Sequence, residues 1–87
     1  MKAKKYKINK GYISQDIENK TVIFDSEHSI LFTFNETAAF IFKRLSQGHE
    51  TDKIVKALAK SYDVTENVAR KDVDRLIATL LKKKIIS

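Results

Sequence analysis

Between Ser29 and Gly48 the chain changes periodicity at a single residue, and no other stretch restricts the fold so strongly. From Ile30 to Phe34 the side chains are β-branched, aromatic or aliphatic, as in a strand buried on at least one face. Asn35 is a favoured N-cap, and Glu36 sets a negative charge at the positive end of a helix dipole. Ala38, Ile41, Phe42 and Leu45 then recur at three- and four-residue spacing, until Gly48 offers a left-handed stop. The stretch reads as a strand feeding straight into a helix.

The flanking segments extend this pattern. Upstream, Tyr12–Ile17 and Thr21–Asp25 read as short strands, separated by polar turns at Glu18–Lys20 and Ser26–Ser29. Turns so short join antiparallel neighbours, so the strands should form a meander with Ile30–Phe34 at one edge. Downstream, a first helix covers about Glu36–Ser46. A second opens at Thr51 as N-cap and carries Ile54, Val55, Leu58, Ala59 and Tyr62. A third opens at Thr65 and runs to about Lys83, with lysines in the last turn that suit the negative end of its dipole. Ile85 and Ile86 form an apolar tail able to dock or to add a strand. Residues 1–10 read as a flexible basic lead-in. With no proline, repeat or linker, residues 1–87 are expected to form one α+β domain. Its outline is a three-stranded antiparallel sheet followed by three helices, like a winged helix-turn-helix.

Period two places Ile30, Phe32 and Phe34 on one face of their strand, expected to be core, and Leu31 and Thr33 on the other. The third helix carries two stripes. Ala69, Val73, Leu76 and Leu80 form a seam that should face the core. Beside it, Arg70, Asp74, Ile77 and Leu81 form a flank that is half charged and half apolar. That flank either asks for a second neighbour or merely widens the buried stripe.

Composition narrows the chemistry. Hydrophobic residues at 43% and charged residues at 32% describe an ordinary globular chain. No apolar run approaches the ~18–20 residues that cross a bilayer, and no apolar segment follows the basic start as in a secretory signal. Without cysteine, disulfide and thiolate chemistry are excluded, and a reducing cytoplasm is the expected setting. His28 and His49 sit in no ligand-spaced cluster, so no metal site is expected. Gly11 and Gly48 cannot form a phosphate loop, and Ser29, Ser46 and Ser61 lack a nucleophile's partners. Asp72 and Asp74, two apart on a helix, face different ways and cannot work as an acid–base pair. The chain reads as a non-enzyme needing no cofactor.

Binding is what remains. The net charge of +6 fits an acidic partner, although solvated lysines near the chain ends account for much of it. In a winged-helix reading, Arg70, Lys71 and Arg75 would face DNA, but the exposed flank of that helix is expected to include Ile77 and Leu81. A second reading is strand addition, in which an extended peptide pairs with the open edge at Ile30–Phe34 beside the apolar flank of the third helix. A third is self-association through that edge.

At this point the residues carry a resemblance. The run Leu31-Phe-Thr-Phe-Asn-Glu-Thr-Ala38, Gly48 after one helix, a helix ending at Tyr62, and Asp72-Val73 with Leu76, Ile77 and Leu80 resemble the PqqD family. These are recognition elements for ribosomally made, post-translationally modified peptides. The likeness extends from about Tyr12 to Ile86, with Phe34 where the family usually has Leu. Proteins of this length are also similar to the small leader-binding subunits of lasso-peptide pathways, which work beside a separate leader peptidase. The resemblance implies a non-catalytic adaptor that presents a precursor's leader to a modifying enzyme or peptidase. It implies leader pairing antiparallel to the third strand, at Ser29, Ile30, Leu31, Phe32, Thr33 and Phe34. It further implies helix contacts at Arg70, Asp74, Ile77 and Leu81, while Asp72 belongs to the motif without an assigned contact. No membrane partner is expected.

Overall fold

The computed structural model describes residues 5–17, 20–25 and 30–87. Strands β1 (Tyr12–Ile17), β2 (Lys20–Asp25) and β3 (Ile30–Phe34) precede helices α1 (Glu36–Ser46), α2 (Thr51–Tyr62) and α3 (Glu66–Lys82). The sheet is an antiparallel meander in the order β1-β2-β3. The expected α+β architecture is therefore present, and β3 lies at an edge. The expected turn at Ser26–Ser29, with His28 in it, lies outside the described residues, as do residues 18 and 19.

Asn35 ends the strand as expected. Its backbone is extended, and its side-chain Oδ1 accepts from the Ala38 amide at 2.9 Å and from the Thr37 hydroxyl at 3.1 Å. One orphan amide of α1 is thereby satisfied within one residue of the sheet. Thr65 does the same for α3 by accepting from the Val68 amide at 3.2 Å. At α2 the expectation fails: the cap position belongs to Glu50, whose side chain makes no capping bond, and Thr51 is already helical.

The three helices end alike. Gly48 at φ 82°, Asp63 at φ 53° and Lys84 at φ 61° all adopt the left-handed conformation. After α1 the amides of Gly48 and His49 donate to Leu45 and Arg44, and after α3 those of Lys84 and Ile85 donate to Leu81 and Leu80. This paired reversal satisfies the last carbonyls of each helix and turns the chain back on itself.

The core lies between the inner sheet face and the helices. Ile23, Phe34, Phe42, Leu45, Leu58, Val73 and Leu80 are buried together. Each such side chain contributes roughly 1.5–3 kcal/mol through removal from water. On α3, Ala69, Val73 and Leu80 are buried as expected, while Leu76 is only half-buried and Ile77 joins the core. Ile77 thus widens the buried stripe rather than forming part of an open flank. On the outer sheet face Ile13 and Ile17 are exposed.

Residues 7–9 depart from the expected flexible lead-in. Lys7 and Ser87 exchange backbone hydrogen bonds of 3.0 and 3.1 Å, and the Asn9 amide donates to Ile85 at 2.8 Å. Ile8 pairs with Ile86, and Tyr6 and Ile8 pack against the core. Ile85 and Ile86 are almost fully buried, so their peptide groups need partners inside the protein. Leu80 accepts from the Ile85 amide, and the N-terminal segment bonds to the Ile85 carbonyl and to Ser87.

Two substitutions test these local accounts by denaturant unfolding. Asn35→Ala is expected to cost about 1 kcal/mol through the lost cap. Lys84→Gly is expected to stabilise by about 0.5–1 kcal/mol, because relief of the left-handed strain outweighs the added unfolded-state entropy.

Candidate functional site

β3 pairs with β2 on one side: Thr21 lies opposite Phe34, Val22 opposite Thr33, and Ile23 opposite Phe32. The next pair is Phe24 with Ile30, so Leu31 is an extra residue and the ladder is locally irregular. Along its other side β3 pairs with no strand among the described residues. That margin presents main-chain donors and acceptors to whatever lies beside it.

Beneath the edge, Phe32 is half-buried against the core and Phe34 is buried. Their rings stack at 6.0 Å, and Phe34 meets Phe42 of α1 at 5.4 Å. Thr33 is exposed. The expectation that Phe32 and Phe34 face inward is met. Ser29 and the side chains of Ile30 and Leu31 lie outside what the structure describes.

No Cα of β3 comes within 8 Å of one of α3. The terminal tail pairs with Ile8 and not with β3. At the end of β3, a cleft of about 390 Å³ opens between the start of α1 and the middle of α3. Ala38, Ile41 and Leu76 supply an apolar floor, and Asn35, Thr37, Asp72, Arg75 and Thr79 a polar rim. Thr79 donates to the Arg75 carbonyl at 3.0 Å, while Asp72 and Arg75 form no ion pair among the described residues.

The cleft uses one flank of α3 and the expected contacts lie on the other. At 3.6 residues per turn, Asp72, Arg75, Leu76 and Thr79 sit to one side of the buried stripe, and Arg70, Asp74, Ile77 and Leu81 to the opposite side. The Arg70 guanidinium donates to Asp52 of α2 at 3.1 Å, so that side faces α2. Both partners are over two-fifths exposed, and such a pair contributes at most about 0.5 kcal/mol. Asp74 and Leu81 are exposed, and Ile77 is buried. These four residues are not brought to the cleft. Of the positions in the strand–helix junction and the Asp-Val motif, Asn35, Thr37, Ala38, Asp72 and Leu76 are.

A second cleft, of about 290 Å³, lies around Asp16, Lys20, Glu36, Phe40, Arg44 and Tyr62. Its walls are bonded to one another. Arg44 stacks 3.7 Å above Phe40, Phe40 meets Tyr62 edge-on, and the Tyr62 hydroxyl donates to Glu36 at 3.4 Å. Burial, reinforced by the Glu36 charge and its hydrogen bond, raises the Tyr62 phenol above the ordinary tyrosine range. No group of three His, Cys, Asp or Glu among the described residues could hold a metal ion. Among the described residues no helix is long and apolar enough to cross a membrane.

The family model described as Coenzyme PQQ synthesis protein D (PqqD) matches residues 20–86. No curated protein matches the chain. Two solved structures share its fold. One is TbiB1 in complex with the TbiA(beta) leader peptide, at 21% identity and TM-score 0.83, covering 93% of this chain and 94% of that one. The other is lasso peptide synthetase B1 complexed with the leader peptide, at 21% identity and TM-score 0.84, covering 97% and 99%.

The Tyr62 environment is open to titration. In an ultraviolet tyrosinate titration, Tyr62→Phe is expected to remove a component that ionises above the ordinary range. Glu36→Gln, by removing one charge, should move that component down. A component that Glu36→Gln leaves unmoved would show that the carboxylate does not act on the phenol.

Proposed function

The chain belongs to the PqqD family, and we propose that it binds the leader segment of a ribosomally made precursor peptide by strand addition to β3. The observation that carries this reading is the conjunction of a strand edge unpaired among the described residues and an apolar cleft that begins at Asn35, where that edge ends. Each needs a different part of the same ligand. An extended segment satisfies the β3 main chain, and its alternate side chains give sequence choice. The cleft over Ala38, Ile41 and Leu76 takes an apolar side chain. Antiparallel pairing extends a sheet that is antiparallel throughout and has the better ladder geometry.

Both structural neighbours hold leader peptides, which supports a guest of this kind. The chain then acts as an adaptor, raising the local concentration of a precursor near a modifying enzyme or leader peptidase. Nothing in the proposed binding requires this chain to break or form a covalent bond. The setting is a cytoplasm in which such precursors are made. DNA binding gains no support from the structure, since Arg70 is held by Asp52 and Arg75 borders the cleft.

On α3 the proposed contacts are Asp72, Arg75, Leu76 and Thr79. Leu76→Asp, on a half-buried position, is expected to weaken binding of a leader peptide at least tenfold while circular dichroism shows the fold intact. Leu81→Asp, on the opposite flank, is expected to leave affinity within about twofold. Isothermal titration with a peptide selected for binding to this protein from a displayed library would measure both. Loss of binding in Leu81→Asp alone would move the guest to the flank that faces α2.

A further inference from the structure

We infer that the segment bound along β3 is followed, on its C-terminal side, by acidic residues that dock on a lysine cluster built by the pairing of the chain's two ends. This inference rests on the strand-addition reading and adds the chemistry of the guest's flank. Lys7 and Lys10 are far in sequence from Lys82, Lys83 and Lys84. The backbone pairing of residues 7–9 with residues 85–87, and the Asn9 side-chain amide donating to the Lys84 carbonyl at 2.7 Å, bring the two groups to one end of the molecule. All five lysines are exposed, and none forms an ion pair among the described residues. Among the described residues Asp25 is the carboxylate at that end of the sheet, and it has a partner. The result is a concentrated positive field whose lysines form no ion pair among the described residues.

Strand polarity decides which part of a guest meets this field. Tyr12 lies opposite Asp25 and Ile30 opposite Phe24, so Tyr12 and Ile30 mark the same end of the sheet. The Tyr12 hydroxyl donates to the Lys83 carbonyl at 3.5 Å, tying that end to the end of α3. A guest antiparallel to β3 therefore enters at Phe34, beside the cleft, and leaves at Ile30, towards the lysines. It lies three strand spacings from β1, about 14 Å, which roughly four or five extended residues span. Acidic side chains in that stretch come within about a Debye length of the cluster. Lysine favours this partner over nucleic acid. It is a flexible point charge without the planar fork that grips phosphate in two places, and no arginine belongs to the cluster.

The test uses the full chain and defined peptides. A binder is selected from a displayed library of random peptides of about twelve residues, and resynthesised with four Glu or four Gln at either end. The expected result is that the C-terminal Glu tail binds about tenfold tighter than the C-terminal Gln tail in low salt. That gain should vanish in high salt and in the folded variant Lys7→Gln/Lys10→Gln/Lys82→Gln/Lys83→Gln. The N-terminal Glu tail should show no such gain. Equal gains at both ends, or a gain that survives loss of the lysines, would overturn the inference while leaving strand addition in place. Duplex DNA or phosphatidylserine vesicles that hold the protein through the same lysines more tightly than the Glu-tailed peptide would also overturn it. Leu76→Asp should abolish binding of every peptide. If the selected peptides bind that variant normally, or none is selected, strand addition itself fails and this inference with it.

Discussion

A single carboxamide oxygen decides where the sheet of this protein stops and its helices begin. Asn35 Oδ1 takes the Ala38 amide in place of the next strand residue, so the chain leaves β3 and starts α1 without a loop. Because no residues intervene, the direction of α1 is coupled to that of β3. Phe34 and Phe42, on either side of the junction, meet in the core and hold the angle. The cleft that begins at Asn35 lies at this corner, between the start of α1 and the middle of α3.

Much of this was legible because it is local. The period changes from two to three or four at Asn35, and a capping residue at the change is hard to read otherwise. Gly48 announced its left-handed turn because glycine is the usual choice there. Asp63 and Lys84 adopt the same conformation and gave no such signal, because each carries a Cβ and is tolerated only at a cost. The expected cap at Thr51 failed for the opposite reason: the residue type was suitable, but the helix starts with Glu50 in the cap position. The pairing of residues 7–9 with the tail joins segments nearly the whole chain apart, and only the burial of Ile85 and Ile86 demands it.

The site was half legible, and the division has a physical cause. That β3 offers an edge follows from short turns alone. Which side of α3 looks toward that edge does not follow from α3 at all. Its buried stripe is flanked by two mixed stripes of similar composition, and the choice depends on where α1 and α2 sit around it. The stripe with Ile77 and Leu81 looked more apolar, and so more like a binding surface. Ile77 owes its character to the core, while the stripe with Leu76 borders the cleft. Apolarity marks contact with something, but a helix cannot say whether that something is its own protein.

An edge left open invites a second copy of the same protein as readily as a guest peptide, and the ladder itself favours the guest. The extra residue at Leu31 makes the pairing of β3 irregular just where a long flat edge would be needed to meet a rigid neighbour. A free peptide can follow such a twist by adjusting its own dihedrals, while a folded strand brings its sheet with it. Like charge acts in the same direction, because two copies would bring two chains of net charge +6 together. On the proposed reading the field that keeps copies apart would also draw in an acidic segment, so that selectivity against self and affinity for the guest would arise from one distribution of lysines.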